Sequence, residues 1–177
     1  MNIKLKVIEW SNMFSYGDNN KLDFTLNPIT QLEAVNGTGK TSLILILQEI
    51  LFSKNIQGIK KGDIVNRFSN KDSWSARLLF DVDSNEYDMS VTRKGDTSKV
   101  ILIENGTNVT KHKIPDTYKY LLTLLGGNID VINKLIYQDS EVQLEFLKAT
   151  DTNRKKFLVN LFHLEEYLQH GETIKAE

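Results

Sequence analysis

Ile3, Leu5 and Val7 alternate with Lys4 and Lys6 over residues 3–10, a period of two that predicts a strand with one mainly polar face. After the Gly17-Asp18-Asn19-Asn20 turn, Leu22, Phe24 and Leu26 alternate again and predict a second strand. Pro28 breaks it, and the apolar run from Ile29 to Val35 predicts a third. From Gly39 to about Ser53 the chain is apolar on nearly every side, which predicts a helix buried against a sheet. Further on, Ala76 to Val82, Glu86 to Thr92 and Val100 to Glu104 are separated by turn residues at Ser84-Asn85 and Gly95-Asp96. That pattern predicts an antiparallel meander. Pro115 opens a helix through Leu125, with Tyr118, Leu121, Leu122 and Leu125 on one side, and Gly126-Gly127 ends it. A short helix follows around Asp130 to Leu135, then a polar stretch at Gln138. Asp151 is the expected N-cap of a last helix, whose Phe157, Leu161, Leu164 and Leu168 form an a/d seam. The seam covers less than two heptads, so it fits a packed helix as well as a coiled coil.

The third strand and the first helix frame Ala34-Val35-Asn36-Gly37-Thr38-Gly39-Lys40-Thr41. Strand, glycine-rich loop and helix are the setting of a phosphate-binding P-loop. Backbone N–H groups of such a loop wrap phosphates, and the helix N-terminus adds a favourable dipole. Lys40 would supply positive charge for the β- and γ-phosphates, and the Thr41 hydroxyl would ligate Mg²⁺. The first Gly of the pattern is here Ala34. Alanine can stand there if its φ stays negative, since only a positive φ favours Gly.

Composition narrows the setting without changing this reading. The chain has 177 residues, of which 40% are hydrophobic, enough for one good core. No cysteine is present, which excludes disulfides and thiolate metal sites and fits an intracellular protein. Met1 leads into the alternating run with no apolar signal segment, and Leu43 to Phe52 is too short and too polar for a membrane span. The expectation is a cytoplasmic protein. The asparagine sequons at Asn36, Asn105 and Asn108 read as turns. The net charge of −1 gives no global attraction to nucleic acid. The basic clusters at Lys60-Lys61 with Arg67 and Lys71, at Lys111-His112-Lys113 and at Arg154-Lys155-Lys156 read as solvated surface. His112, His163 and His170 have no metal-like grouping.

The order of these segments carries a resemblance. A P-loop preceded by two strands is followed by a meander, then Ile136-Tyr137-Gln138-Asp139, then Phe146-Leu147 and the helix start Arg154-Lys155-Lys156-Phe157-Leu158. This resembles the N-terminal half of an ABC-type ATPase head of the SMC-like SbcC or Rad-fifty family. Asn12-Met13-Phe14-Ser15-Tyr16-Gly17, with Lys60-Lys61-Gly62, looks in particular like the large-subunit branch from bacteriophage recombination endonucleases. The resemblance implies an α/β fold: a P-loop lobe over 1–150, with a mixed sheet, meander and helical part, leading into a coiled-coil helix over 151–177. It implies that Asn36, Gly37, Thr38, Gly39, Lys40 and Thr41 cradle the phosphates of ATP and that Ser42 touches the α-phosphate. Thr41 and Gln138 would hold Mg²⁺, with Gln138 also sensing the γ-phosphate. Taken alone, Gln138 reads as an ordinary polar loop residue. Arg93, at the end of a meander strand, reads as an ion-pair residue.

What such a head also needs is not found: a strand ending in Asp-Glu, a signature loop and a switch histidine. Leu124-Leu125-Gly126-Gly127-Asn128 has Leu where the signature serine belongs and precedes the glutamine loop, so it reads as a helix stop. In Leu78-Leu79-Phe80-Asp81 the following residue is Val82 where a catalytic Glu is required. In the family these parts lie on a C-terminal lobe beyond a long coiled coil, so the chain reads as an N-terminal half-head. The implied partners are that lobe, a second head, double-stranded DNA and an SbcD or Mre-eleven-type nuclease near Phe157 to Tyr167. In a phage-encoded case the setting would be host cytoplasm, at the nucleoid. The alternatives are a RecF- or RecN-type recombination clamp without a nuclease, and a stand-alone P-loop NTPase.

Overall fold

The computed structural model describes residues 2–55, 57–126, 148–161 and 164. Internal contacts divide the chain into two units, Met1–Leu125 and Gly126–Glu177. The first is built on a sheet of β1 (Ile3–Ser11), β2 (Asn20–Asp23), β3 (Ser73–Val82), β4 (Asn85–Lys94), β5 (Thr97–Glu104) and β6 (Thr107–Asn108). Its order is β2-β1-β3-β4-β5-β6, and every described pairing is antiparallel. The expected meander is β3-β4-β5, with two-residue turns. Alternation sends Trp74, Ala76, Leu78, Phe80 and Val82 to one face, where Tyr87, Met89, Val91, Val100 and Leu102 of the neighbouring strands join them in the core. The Asn105-Gly106 turn, with φ of 47° and 79°, adds the short β6, which the alternation alone does not reveal.

Helix α1 (Lys40–Phe52) packs on β3 and β4 and also touches α2 (Ile114–Leu124). It is covered from more than one side, which is why eight of its residues are buried. Fully burying a side chain such as Ile46 or Ile50 contributes about 1.5–3 kcal/mol. On α2 the most buried positions are Thr117, Leu121 and, just past its end, Leu125.

The second and third expected strands need correction. β2 ends at Asp23, because its carboxylate accepts hydrogen bonds from the N–H and hydroxyl of Thr25 at 2.8 and 2.6 Å and turns the chain. Those two bonds, first among the causes, also hold the Asp23 carboxyl below its usual range. Residues 29–35 form no strand. Leu26, Ile29, Leu32 and Val35 are 74%, 85%, 48% and 78% exposed. An extended segment becomes a strand only when another backbone completes its hydrogen bonds, and none of the described residues does so.

In the second unit the described part is α3 (Asp151–Leu161). Its N-cap is Thr150, not Asp151: the Thr150 carbonyl accepts from Arg154 N at 2.9 Å and its hydroxyl from Asn153 N at 3.4 Å. Asp151 instead pairs with Arg154 at 2.8 Å. Of the expected seam, Phe157 is half-buried and Leu164 is exposed, while the Leu161 side chain and Leu168 lie outside the described residues. The helix expected around Asp130 to Leu135 and the Phe146-Leu147 pair also lie outside them.

Candidate nucleotide site

The loop before α1 has the backbone that its sequence requires. Gly37 and Gly39 have φ of 86° and 104°, in the region glycine adopts without penalty. Ala34 is not among the residues of positive φ, so alanine is accommodated at the position of the first glycine. The Val35 carbonyl gathers donors from within the loop: Thr38 Oγ1 at 2.7 Å, Thr38 N at 3.4 Å and Lys40 Nζ at 3.1 Å. Lys40 Nζ also donates to the Ala34 carbonyl at 2.5 Å. The ammonium is thus folded back over the loop. Gly39 caps α1 with no side-chain hydrogen bond, and no acidic residue occupies the first turn. The first N–H groups of α1 are therefore left without a local anion, which suits a phosphate.

A second segment braces this loop. At the end of β1 the chain enters a turn whose Asn12 and Phe14 have φ of 58° and 54°. Such conformations cost about 1–3 kcal/mol each and persist only when neighbours over-determine them. Asn12 is buried and its Nδ2 donates to the Ser73 carbonyl on β3 at 2.6 Å. Phe14 N donates to the Ile64 carbonyl at 2.6 Å, and Asn66 N donates to the Asn12 carbonyl at 3.1 Å. From this turn Ser15 Oγ donates to the Thr38 carbonyl at 3.4 Å, and Tyr16 OH donates to the Gly39 carbonyl at 3.0 Å. Beside it, Phe14, Ser15, Ile59, Lys60, Arg67 and Phe68 line an open cavity of about 650 Å³. Phe68 is 93% exposed.

The segment leading to that cavity is tied down by an ion pair that sequence reading missed. Glu49, on the buried side of α1, is 1% exposed and pairs with Lys61, whose ammonium also donates to the Ser53 carbonyl and hydroxyl at 2.6 and 2.8 Å. An acidic residue inside an otherwise apolar helix was the available signal. Burial raises the Glu49 carboxyl above its ordinary value, with Lys61 opposing the shift. A raised folded-state value means that Glu49 favours folding most below its ordinary pKa, and that this contribution is lost as pH rises through the folded value. Lys61→Ala should then destabilise the fold by about 2 kcal/mol at neutral pH, below the range for fully buried pairs because Lys61 is partly exposed. Thermal melts should show this deficit shrinking as pH falls toward 4. A constant deficit across pH 4–8 would place the loss in packing and not in charge.

Of the expected site residues, Asn36, Gly37, Thr38, Gly39, Lys40, Thr41 and Ser42 come together in one loop and helix start, with Thr41 exposed and Ser42 half-buried. Gln138 lies outside the described residues. Arg93 donates to Ser98 Oγ and Asp96 Oδ1 at 3.2 and 3.3 Å, an ion pair within its hairpin. Asp81, near the end of β3, pairs with Lys6 of β1 at 2.8 Å, so it is not placed as a catalytic acid. Within the basic clusters, Arg67 pairs with Asp63, Lys71 with Asp18 and Arg154 with Asp151. No group of three or more metal-ligating side chains occurs among the described residues, and none of their helices is long and apolar enough to cross a membrane.

A family model described as an AAA domain matches residues 8–177. The chain belongs to the AAA domain family. This AAA-domain chain is 40% identical over 175 residues to the probable exonuclease subunit 2 of Escherichia phage T5, and 27% identical over 178 residues to exonuclease subunit 2 of Enterobacteria phage T4. Each alignment covers 99% of this chain but only 28% and 31% of the relative, so the chain spans under a third of their length. Among solved structures, it matches one described as "Structural biochemistry of ATP-driven dimerization and DNA stimulated activation of SMC ATPases". The TM-score is 0.67 at 16% identity, covering 89% of this chain and 99% of that one. It also matches one described as "Structure of the recombination mediator protein RecF-ATPrS in RecFOR pathway" at TM-score 0.52 and 16% identity, covering 98% of this chain and 43% of that one. At such identities these matches establish the fold: an α/β lobe of the kind found in SMC and RecF ATPases.

Proposed function

We propose that this AAA-domain chain is the ATP-binding half of an SMC-like ATPase head in a recombination or double-strand-break repair nuclease complex. The observation that carries the reading is the loop of residues 34–41, with two left-handed glycines, a lysine turned over its carbonyls and an uncapped helix behind it. Asn36 through Lys40 would receive the β- and γ-phosphates, Thr41 would hold Mg²⁺, and Ser42 would reach the α-phosphate. Lys40 would leave the Ala34 and Val35 carbonyls to do so. The open cavity lined by Phe14 and Phe68 would receive the nucleobase, with an aromatic face to stack on. The two phage relatives support the nuclease complex over a nuclease-free clamp, because both are described as exonuclease subunits.

The lobe over 1–150 would continue into a coiled-coil helix over 151–177, with the nuclease docked near Phe157 to Tyr167. The exposed apolar segment of residues 29–35 supports a missing partner lobe, since a strand from that lobe would complete its hydrogen bonds. The C-terminal lobe would add the acidic pair and signature serine. Two completed heads would close on ATP and clamp double-stranded DNA.

Calorimetric titration of Mg-ATP tests the nucleotide step, and light scattering of reconstituted heads tests ATP-driven association. Gln138→Ala should leave nucleotide affinity within about 2-fold, yet weaken that association roughly 10-fold, a loss of about one metal-directed contact. Unchanged association would return Gln138 to the role of an ordinary loop residue.

A further inference from the structure

We propose that Tyr16 is a positioning residue of the nucleotide site, its hydroxyl holding the Gly39 carbonyl so that the loop's amides face the phosphates. The proposal rests on the nucleotide-binding reading above. In a trans peptide unit the C=O and the following N–H point in opposite directions. Ser15 Oγ and Tyr16 OH take the Thr38 and Gly39 carbonyls, two consecutive peptide units. Holding those carbonyls toward residues 15 and 16 turns the Gly39 and Lys40 N–H groups the other way, out of the clamp. These two amides lead into α1, where an anion gains most from the helix dipole.

The approach leaves no slack. A Cβ on Gly39 would lie 2.4 Å from Ser15 Oγ and 3.3 Å from Tyr16 Cε2. The clamp is itself anchored to the sheet. Tyr16 N donates to the Met13 carbonyl at 2.9 Å, and Asn66 Nδ2 donates to the Tyr16 carbonyl at 3.1 Å. Asn12 ties the same turn to β3. The Tyr16 ring sits edge-on to Trp10, with centroids 5.1 Å apart and planes at 88°. Burial raises the Tyr16 hydroxyl above its ordinary value, so it remains a donor throughout the physiological range. The stretch of residues 64–66, which reaches the cavity through Val65, hangs on the same turn through Asn66 and Ile64. The turn that carries Tyr16 therefore links the loop to the stretch that lines the cavity.

Tyr16→Phe removes the hydroxyl and keeps the ring against Trp10. On the intact protein, competition against a fluorescent ATP analogue should show ATP binding weakened about 5- to 10-fold, the worth of one neutral hydrogen bond. Inorganic tripolyphosphate should lose the same factor, because the defect lies in the phosphate-facing amides. The melting midpoint should fall by no more than about 2–4 °C, since the fold keeps its core. Ser15→Ala, which removes the other clamp bond, should weaken both ligands in the same way by a smaller factor. Parental ATP affinity in Tyr16→Phe, with affinity lost in Lys40→Ala, would overturn the clamp and leave the nucleotide reading standing. A loss for ATP that spares tripolyphosphate would also overturn it, since Tyr16 would then act on the nucleoside end. If the parent binds neither ATP nor tripolyphosphate, the nucleotide reading fails and the clamp with it.

Discussion

Lys40→Ala is expected to abolish ATP binding while leaving the fold intact. The ammonium is the loop's own charge for the β- and γ-phosphates, and each hydrogen bond to a charged group is worth about 1.5–3 kcal/mol. Losing two such contacts lowers affinity roughly 10²–10⁴-fold, beyond the reach of an ordinary titration. The stability side is small for a structural reason. Lys40 now donates to the Ala34 and Val35 carbonyls, and both residues are exposed, so water replaces the ammonium there at little cost. Calorimetric titration with Mg-ATP, paired with a thermal melt, separates the two effects. An alanine variant that binds ATP as tightly as the parent would remove the nucleotide site from residues 34–41.

The chain purified alone is expected to hydrolyse no ATP at a measurable rate. The P-loop can supply phosphate and metal contacts, but the sequence offers no Asp-Glu pair to orient water and no signature serine to stabilise the transferring phosphoryl group. The apolar-then-acidic run Leu78-Leu79-Phe80-Asp81 is occupied elsewhere through the Asp81–Lys6 pair. Each missing group commonly costs about 10²–10³ in rate, and two missing together take turnover below detection. Adding a separately expressed C-terminal lobe should restore hydrolysis in a phosphate-release assay, and DNA and nuclease should raise it further. Steady turnover by the isolated chain that disappears in Lys40→Ala would refute the half-head and favour a stand-alone NTPase.

The meander was legible in the sequence because alternation and turn residues point to the same three strands, though their starts lie one to three residues earlier than expected. Trp74 to Val82 and Tyr87 to Val91 alternate, Gly95-Asp96 falls where the chain reverses, and the other reversal, Asp83-Ser84, comes one residue before the expected Ser84-Asn85. The loop at Asn36 to Thr41 was legible because a glycine-rich turn before an apolar helix leaves few backbone conformations open. The run from Ile29 to Val35 has the same apolar look as a buried strand, yet a strand is a property of two backbones and the sequence of one does not contain the other. The Ser15 and Tyr16 contacts join residues 23 positions apart, and no local pattern announces them. Glu49 lies in the Leu43 to Phe52 run, where it counts only as polarity against a membrane span. Its burial against Lys61 depends on where the following loop folds back.

The open apolar stretch at Leu26, Ile29, Leu32 and Val35 has a practical consequence for anyone handling the protein. An uncovered extended segment with low charge recruits like segments from neighbouring molecules, strand to strand. Only Glu33 interrupts that stretch with a formal charge between Asp23 and Lys40. Purified without whatever covers this segment, the protein would be expected to cloud as it is concentrated. A charged residue introduced at Ile29 should keep it clear in the tube, while spoiling its fit to any partner that supplies the missing strand.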